Sequence, residues 1–238
     1  MSSLLAKFAP LVNAVRKDHI EQGAVGGGHD LTHALVVAGY CDKIADDPET
    51  RMLAWVAAIV HNTDRLWHKQ SNEETAKKVR SYLDDATELA EGQKQIVLQA
   101  VMRHSRPNDA EDDAVTTVLK DADRVANLGI VAVIRSGQLY NGLLAADPRF
   151  ILEPDPSANY RNPKTAFYDV LAALEWDPRE GKPKFCIRLP KAIALATPYF
   201  DWLRMGRDLE ARRLEEAGLT VHPFPEDLDL AYASAEKK

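Results

Sequence analysis

Cysteine is nearly missing from this chain. Cys41 and Cys186 are the whole supply in 238 residues, and neither belongs to a CxxC pair. That excludes a disulfide framework and suits a reducing cytosol. Positive charge is also short, with 30 Lys and Arg against 36 Asp and Glu, a formal net charge of -6 and a pI near 5.7. Such a surface has no basic stripe to neutralise a phosphate backbone, so no nucleic acid polymer is expected as a partner, while a small anionic ligand remains compatible. Long apolar runs are absent too. The longest, Met52 to Val60, is far short of the ~20 residues that cross a bilayer, so no membrane association is expected. The opening MSSLLAKFAPLVNAVRK is interrupted by Lys7 and has no small-residue cleavage site behind a continuous apolar stretch. It does not read as a secretory signal, and a cytoplasmic location is expected. Catalytic loops are missing as well. Gly26-Gly27-Gly28 lacks both the GxxxxGK[ST] pattern and a preceding strand, and there is no GxSxG elbow.

What the chain does have is helical period. Apolar residues recur at three and four through segments filled with Ala, Leu, Glu, Lys and Arg, at an apolar content of 45%, and no stretch reads as a convincing strand. Helices are expected at about 3–20, 30–46, 49–62, 71–84, 90–104, 112–127, 129–142, 163–174 and 190–217. The prolines of Asp147 to Pro163 and of Trp176 to Pro190 mark two loops, because each removes a backbone donor. The expectation is an all-α fold, one domain over 1–238 with a core at about 25–140 and a C-terminal helical extension at about 163–220. Trp55, Trp67 and Trp202 are core candidates. The apolar side of the last helix, with Ile193, Leu195, Tyr199 and Phe200, leaves room for a homodimer contact.

Seven histidines are present, and their placement carries the chemistry. His29 and His33, four apart, share one helix face one turn above each other. His61 ends the run MLAWVAAIV, so a helix buried on most sides delivers an imidazole into the interior, where it needs partners. Asp123, in Lys120-Asp121-Ala122-Asp123-Arg124-Val125, follows an apolar helical pattern that includes Val115, Val118 and Leu119. Two imidazoles and a carboxylate from three separate helices make a divalent-metal set with positions left for water and substrate. Asp121, two residues from Asp123, should face another way and stand as a solvated charge. Arg212 and Arg213 belong to a solvated helix face with Glu210, Glu215 and Glu216.

The order His33, His61-Asn62, Asp123, in the local contexts HDLTH and KDADRV, resembles the HD-domain superfamily of metal-dependent phosphohydrolases over roughly residues 25 to 140. That resemblance implies an HD-domain-like helical bundle with additional C-terminal helices. It implies His33, His61 and Asp123 as metal ligands, with Asn62 in the position where the family carries the Asp of its His-Asp dipeptide. An amide in place of that carboxylate brings one negative charge fewer to the cation and bridges two metals poorly, so one divalent ion at most (Mn, Mg or similar) is expected. Asp64 is the nearest carboxylate that could make up the charge. The resemblance further implies His29 and His104 in catalysis and Arg65 and Arg135 as cations for phosphate oxygens; by their places beside the motifs, Asp64 is expected to join the first group and Arg103, Lys120 and Arg124 the second, arginine offering forked donors matched to phosphate geometry. The function it implies is hydrolysis of a nucleotide or other small phosphate ester. The alternative is a catalytically inactive HD-fold protein that binds a phosphorylated metabolite or serves as a scaffold.

Overall fold

The computed structural model describes residues 3–23, 30–66, 71–159 and 162–219. Among these the regular structure is helical, as the periodicity predicts, with two isolated bridges (Leu144 with Thr165, Asn159 with Asn162) and no strand. No described helix is long and apolar enough to cross a membrane. The chain forms two compact units, one of residues 1–127 with 175–196, the other of 128–174 with 197–238.

The first unit contains α1 (Ser3–Lys7), α2 (Ala9–Glu21), α3 (Leu31–Ile44), α4 (Pro48–Val60), α5 (Thr63–Leu66), α6 (Asn72–Ala86), α7 (Glu91–Arg103) and α8 (Ala114–Ala126). Its centre is α4, buried from Leu53 to Val60 without interruption because its sequence is apolar all round. It packs against α2, α3, α7 and α8. Burial of Leu53, Val56, Ile59 and Val60 stabilises the unit by roughly 1.5–3 kcal/mol each. Ala54, Ala57 and Ala58, all fully buried, lie between those larger residues on the same helix. Trp55 is buried and stacks on Phe8, with ring centroids 5.8 Å apart. Trp202 is half-buried and Trp67 lies outside the described residues.

The expected helix over 3–20 is two helices. Pro10 stands in the first turn of α2, where its missing N–H costs nothing, and so the chain restarts at Phe8. The segment expected as a helix over 163–174 is the short α10 (Ala166–Leu171) followed by a 3-10 turn, Ala172–Trp176. It belongs to the second unit with α9 (Ile130–Leu139) and most of α11 (Pro190–Glu216). Gly129 precedes α9 at φ 85°, a conformation side chains resist. The core of that unit gathers Ile151, Ala211 and Leu214, with Phe167 against them.

A buried polar network ties the loop 175–189 to α8 within the first unit. Asp121 is fully buried, not a solvated charge. Its Oδ2 accepts the backbone N–H of Arg188 and of Leu189, both at 2.8 Å, and Arg124 Nη1 donates to its Oδ1 at 3.3 Å. Asn108 Nδ2 and Arg124 Nη1 both donate to the Cys186 carbonyl, at 2.8 and 3.1 Å. Gly181 is required in this loop, since a Cβ there would collide with the carbonyl oxygens of Glu175 and Asp177.

Candidate metal centre

Helix ends build the site. Asp30 caps α3 by accepting the His33 backbone N–H at 2.9 Å, which sets His33 in the first turn. His61 is the residue at which α4 stops, His104 the one at which α7 stops, and Asp123 lies in the last turn of α8, itself capped by Asp113. Three imidazoles and a carboxylate are thereby brought close. His33 Nε2 lies 3.0 Å from Asp123 Oδ1 and His61 Nε2 lies 3.7 Å from the same oxygen. The ring of His61 is 5.4 Å from that of His33 and 5.2 Å, edge-on, from that of His104. Among the described residues His33, His61 and Asp123 form a set whose ligand atoms all lie within 4.8 Å of one another.

Protonation follows from the partners. His61 Nδ1 faces the Ala58 carbonyl at 2.7 Å, and since a carbonyl only accepts, the proton belongs on Nδ1 and the lone pair on Nε2. Burial pushes the His61 pKa down to about 3, so the ring is neutral near pH 7. Its Nε2 is buried without a hydrogen-bond partner. His104 repeats the arrangement, with Nδ1 donating to the Val101 carbonyl at 2.6 Å. Burial alone would raise the Asp123 carboxyl. The His33 hydrogen bond and the surrounding imidazoles outweigh that and hold it well below the usual carboxylate range.

Asn62 is buried beside His61, and its Nδ2 also lacks a partner. Because amide nitrogen and oxygen exchange places by a half-turn of the group, the same side chain can turn Oδ1 toward a cation. An orphaned imidazole nitrogen, an orphaned amide and an ionised carboxylate fit a divalent cation better than they fit an empty core, where each unsatisfied group carries its full desolvation cost.

The remaining expected residues are distributed unevenly. Asp64 lies outside the three-residue ligand set; it is partly exposed and 3.5 Å from Arg65 Nε, and Arg65 itself is exposed on α5. Arg103 sits against Asp112 at 3.6 Å and Asp109 at 3.8 Å. Lys120 and Arg124 need correction as phosphate cations. Lys120 is 1% exposed, and its ammonium donates to the Pro107 carbonyl at 2.9 Å and to Asp112 at 2.7 Å. Arg124 is committed to Asp121 and the Cys186 carbonyl. Both stand on the inward face of α8, so their charge is used to neutralise buried carboxylates. Arg135 lies on α9 in the second unit, where its charge acts on Asp169. His29 falls outside the described residues.

Sequence reasoning missed Asn127. Its Nδ2 donates to Asp123 Oδ1 and to the Asp123 carbonyl, both at 2.9 Å. The signal was present as spacing, because residues four apart on a helix share a face.

Residues 30–128 match the family model of the HD domain. An HD-superfamily hydrolase from Bacillus thuringiensis superposes with a TM-score of 0.59 at 16% identity, covering 90% of this chain and 99% of that one. A protein of Lactobacillus plantarum gives a TM-score of 0.61 at 14% identity, covering 89% and 98%. YpgQ of Bacillus subtilis, solved in complex with ADP, gives 0.51 at 17% identity, covering 84% and 96%. These identities establish likeness of fold. No curated protein matches the chain.

Proposed function

This chain carries an HD domain over residues 30–128, and from that premise we propose that it is a metal-dependent phosphohydrolase acting on a nucleotide or another small phosphate ester, with one divalent cation in its site. At the family level the assignment is a metal-dependent hydrolase; the phosphate ester and the single ion are our reading. The observation that carries it is the His61 Nε2 lone pair, buried and unpartnered 3.7 Å from the Asp123 carboxylate.

His33, His61 and Asp123 would hold the cation, with Asn62 contributing its amide oxygen. Such an ion lowers the pKa of bound water and polarises a phosphoryl oxygen. The protein's part is to keep those donors in place. The Ala58 carbonyl fixes the His61 ring so that Nε2 always presents its lone pair, as second partners of ligating imidazoles do. Asp123 supplies the one negative charge of the described set. His104, with Nδ1 held by the Val101 carbonyl, has Nε2 available to take a proton from an attacking water. Arg65, exposed on α5, offers forked donors to a phosphate. ADP in YpgQ makes nucleoside phosphates the first substrates to try.

Asn62 favours a second reading, an inactive HD fold that binds a phosphorylated metabolite, because it removes one charge from the cation's shell. Elemental analysis of purified protein separates the two. The proposal expects about one equivalent of divalent metal per chain, lost in His61→Ala, and phosphate release from at least one nucleotide with Mn(II). Metal-free wild-type protein with no release across a broad phosphate-ester panel refutes it.

A further inference from the structure

The geometry points to Asn127 as the positioning residue of the cation site, fixing the Asp123 carboxylate oxygen that faces His33 and His61 so that its remaining lone pair is presented to the ion. This inference rests on the metal-dependent reading above and adds to it the residue that orients the carboxylate of the described ligand set.

Asn127 ends α8, and its own backbone N–H returns to the Asp123 carbonyl at 3.0 Å and the Arg124 carbonyl at 3.1 Å. The side chain is held as firmly. An amide nitrogen has two hydrogens, and Asn127 Nδ2 gives one to the Asp123 carbonyl and one to Asp123 Oδ1, each at 2.9 Å. Donor and acceptor therefore belong to one helical turn, so the bond does not depend on how separate helices pack.

Asp123 Oδ1 has two in-plane lone pairs. Asn127 takes one and His33 Nε2, at 3.0 Å, takes the other. The two partners differ in what a cation does to them. An imidazole nitrogen that ligates a metal has no hydrogen left to donate, so the His33 bond to Oδ1 is given up when His33 binds the ion. The Asn127 bond is not in competition. It remains the bond that keeps the carboxylate from rotating, and it leaves for the ion the second lone pair of Oδ1, the oxygen that faces both His33 and His61. A carboxylate oxygen with one lone pair committed to the protein has one left for a metal, and a ligand of that kind serves one ion better than two. That agrees with the loss of the bridging carboxylate at Asn62.

The test uses full-length protein with Mn(II) and Co(II) as probes. Asn127→Ala removes the amide, and Asn127→Gln keeps it on a longer arm. In Asn127→Ala, Mn(II) should bind roughly 10–100-fold more weakly than in wild type, as loss of an orienting partner does in other metal sites. The visible absorption of bound Co(II) should change in position or intensity, a readout that a purely structural helix end does not move. Asn127→Gln should recover part of both. Circular dichroism verifies folding, and if the alanine variant does not fold, Asn127→Gly, which helix ends tolerate well, takes its place. Wild-type affinity and an unchanged Co(II) spectrum in a folded variant without the amide overturn this inference and leave the proposed function standing. No binding of either ion by wild type overturns both.

Discussion

Asp121 Oδ2 accepts the backbone N–H of Leu189 at 2.8 Å, from the residue just before the long helix that begins at Pro190. Two positions along the same helix, Asp123 faces the cation site. One stretch of α8 thus does two kinds of work, holding the loop that leads to Pro190 and supplying a ligand to the cation site.

Replacing Asp121 by Ala leaves the Arg124 guanidinium and two backbone donors without their acceptor in a buried place. A loss of about 3–5 kcal/mol in unfolding free energy is expected. Chemical denaturation measures it. A cost below about 1 kcal/mol would mean that the network is not maintained in solution.

Asp112 and Lys120 separate stability from substrate binding. Burial raises the Asp112 carboxyl, but the Lys120 hydrogen bond and the Arg188 charge bring it below its ordinary range, so it is ionised in the fold. Asp112→Ala strands Lys120 and should cost about 3–5 kcal/mol. Lys120→Met should cost less, because Arg188 stays 3.0 Å from the carboxylate. If phosphatase activity is found, the folded Lys120→Met variant should keep the wild-type KM. A large rise in KM without loss of stability would restore Lys120 to the substrate.

His61 gives metal-free protein a pH dependence. Its pKa is about 3 when folded against an ordinary 6.5, so between those values the unfolded chain holds a proton that the folded one does not. Stability is therefore full above pH 6.5 and falls as pH decreases, by about 1.4 kcal/mol per unit from this residue. Denaturation in chelator at pH 7 and pH 5 should show a steeper loss for wild type than for His61→Asn. Parallel curves for the two proteins would contradict the neutral buried imidazole.

Asn62→Asp should have opposite effects with and without metal. Without a cation it buries a second carboxylate, which costs stability or is relieved by protonation. With Mn(II) the added charge should tighten binding at least tenfold, about 1.4 kcal/mol. Calorimetric titration and thermal melts with and without Mn(II) examine both arms. Identical melting temperatures and identical affinity in the two proteins would show that residue 62 does not face the ion.

Much of this was readable along the chain. The run MLAWVAAIV announces a helix with no polar side, and α4 is buried from Leu53 to Val60. Pro10 was equally visible, yet the break at Phe8 it causes was read as continuous helix because the apolar period continues on both sides. His33, His61 and Asp123 were identifiable from their places on apolar helices and from the family pattern they resemble. Lys120, three residues from Asp123, is committed to Asp112 by packing that no local pattern shows, and Arg124, next to Asp123, turns to Asp121 and the Cys186 carbonyl. Each residue on a helix turns about 100° from the last, and neighbours of a ligand mostly face elsewhere.

The sequence by itself determined the helices, their order, and which of them end in histidine or carry an aspartate on an apolar face. Those properties are local, set by side-chain period and by prolines and caps within a few residues. The tertiary structure alone decided which lone pairs meet. It set His61 Nε2 3.7 Å from Asp123 Oδ1, gave that oxygen the protons of His33 and Asn127, and sealed Lys120 against Asp112. Ninety positions separate His33 from Asp123, and only the packing of α3, α4 and α8 on one another brings their polar ends to a common point.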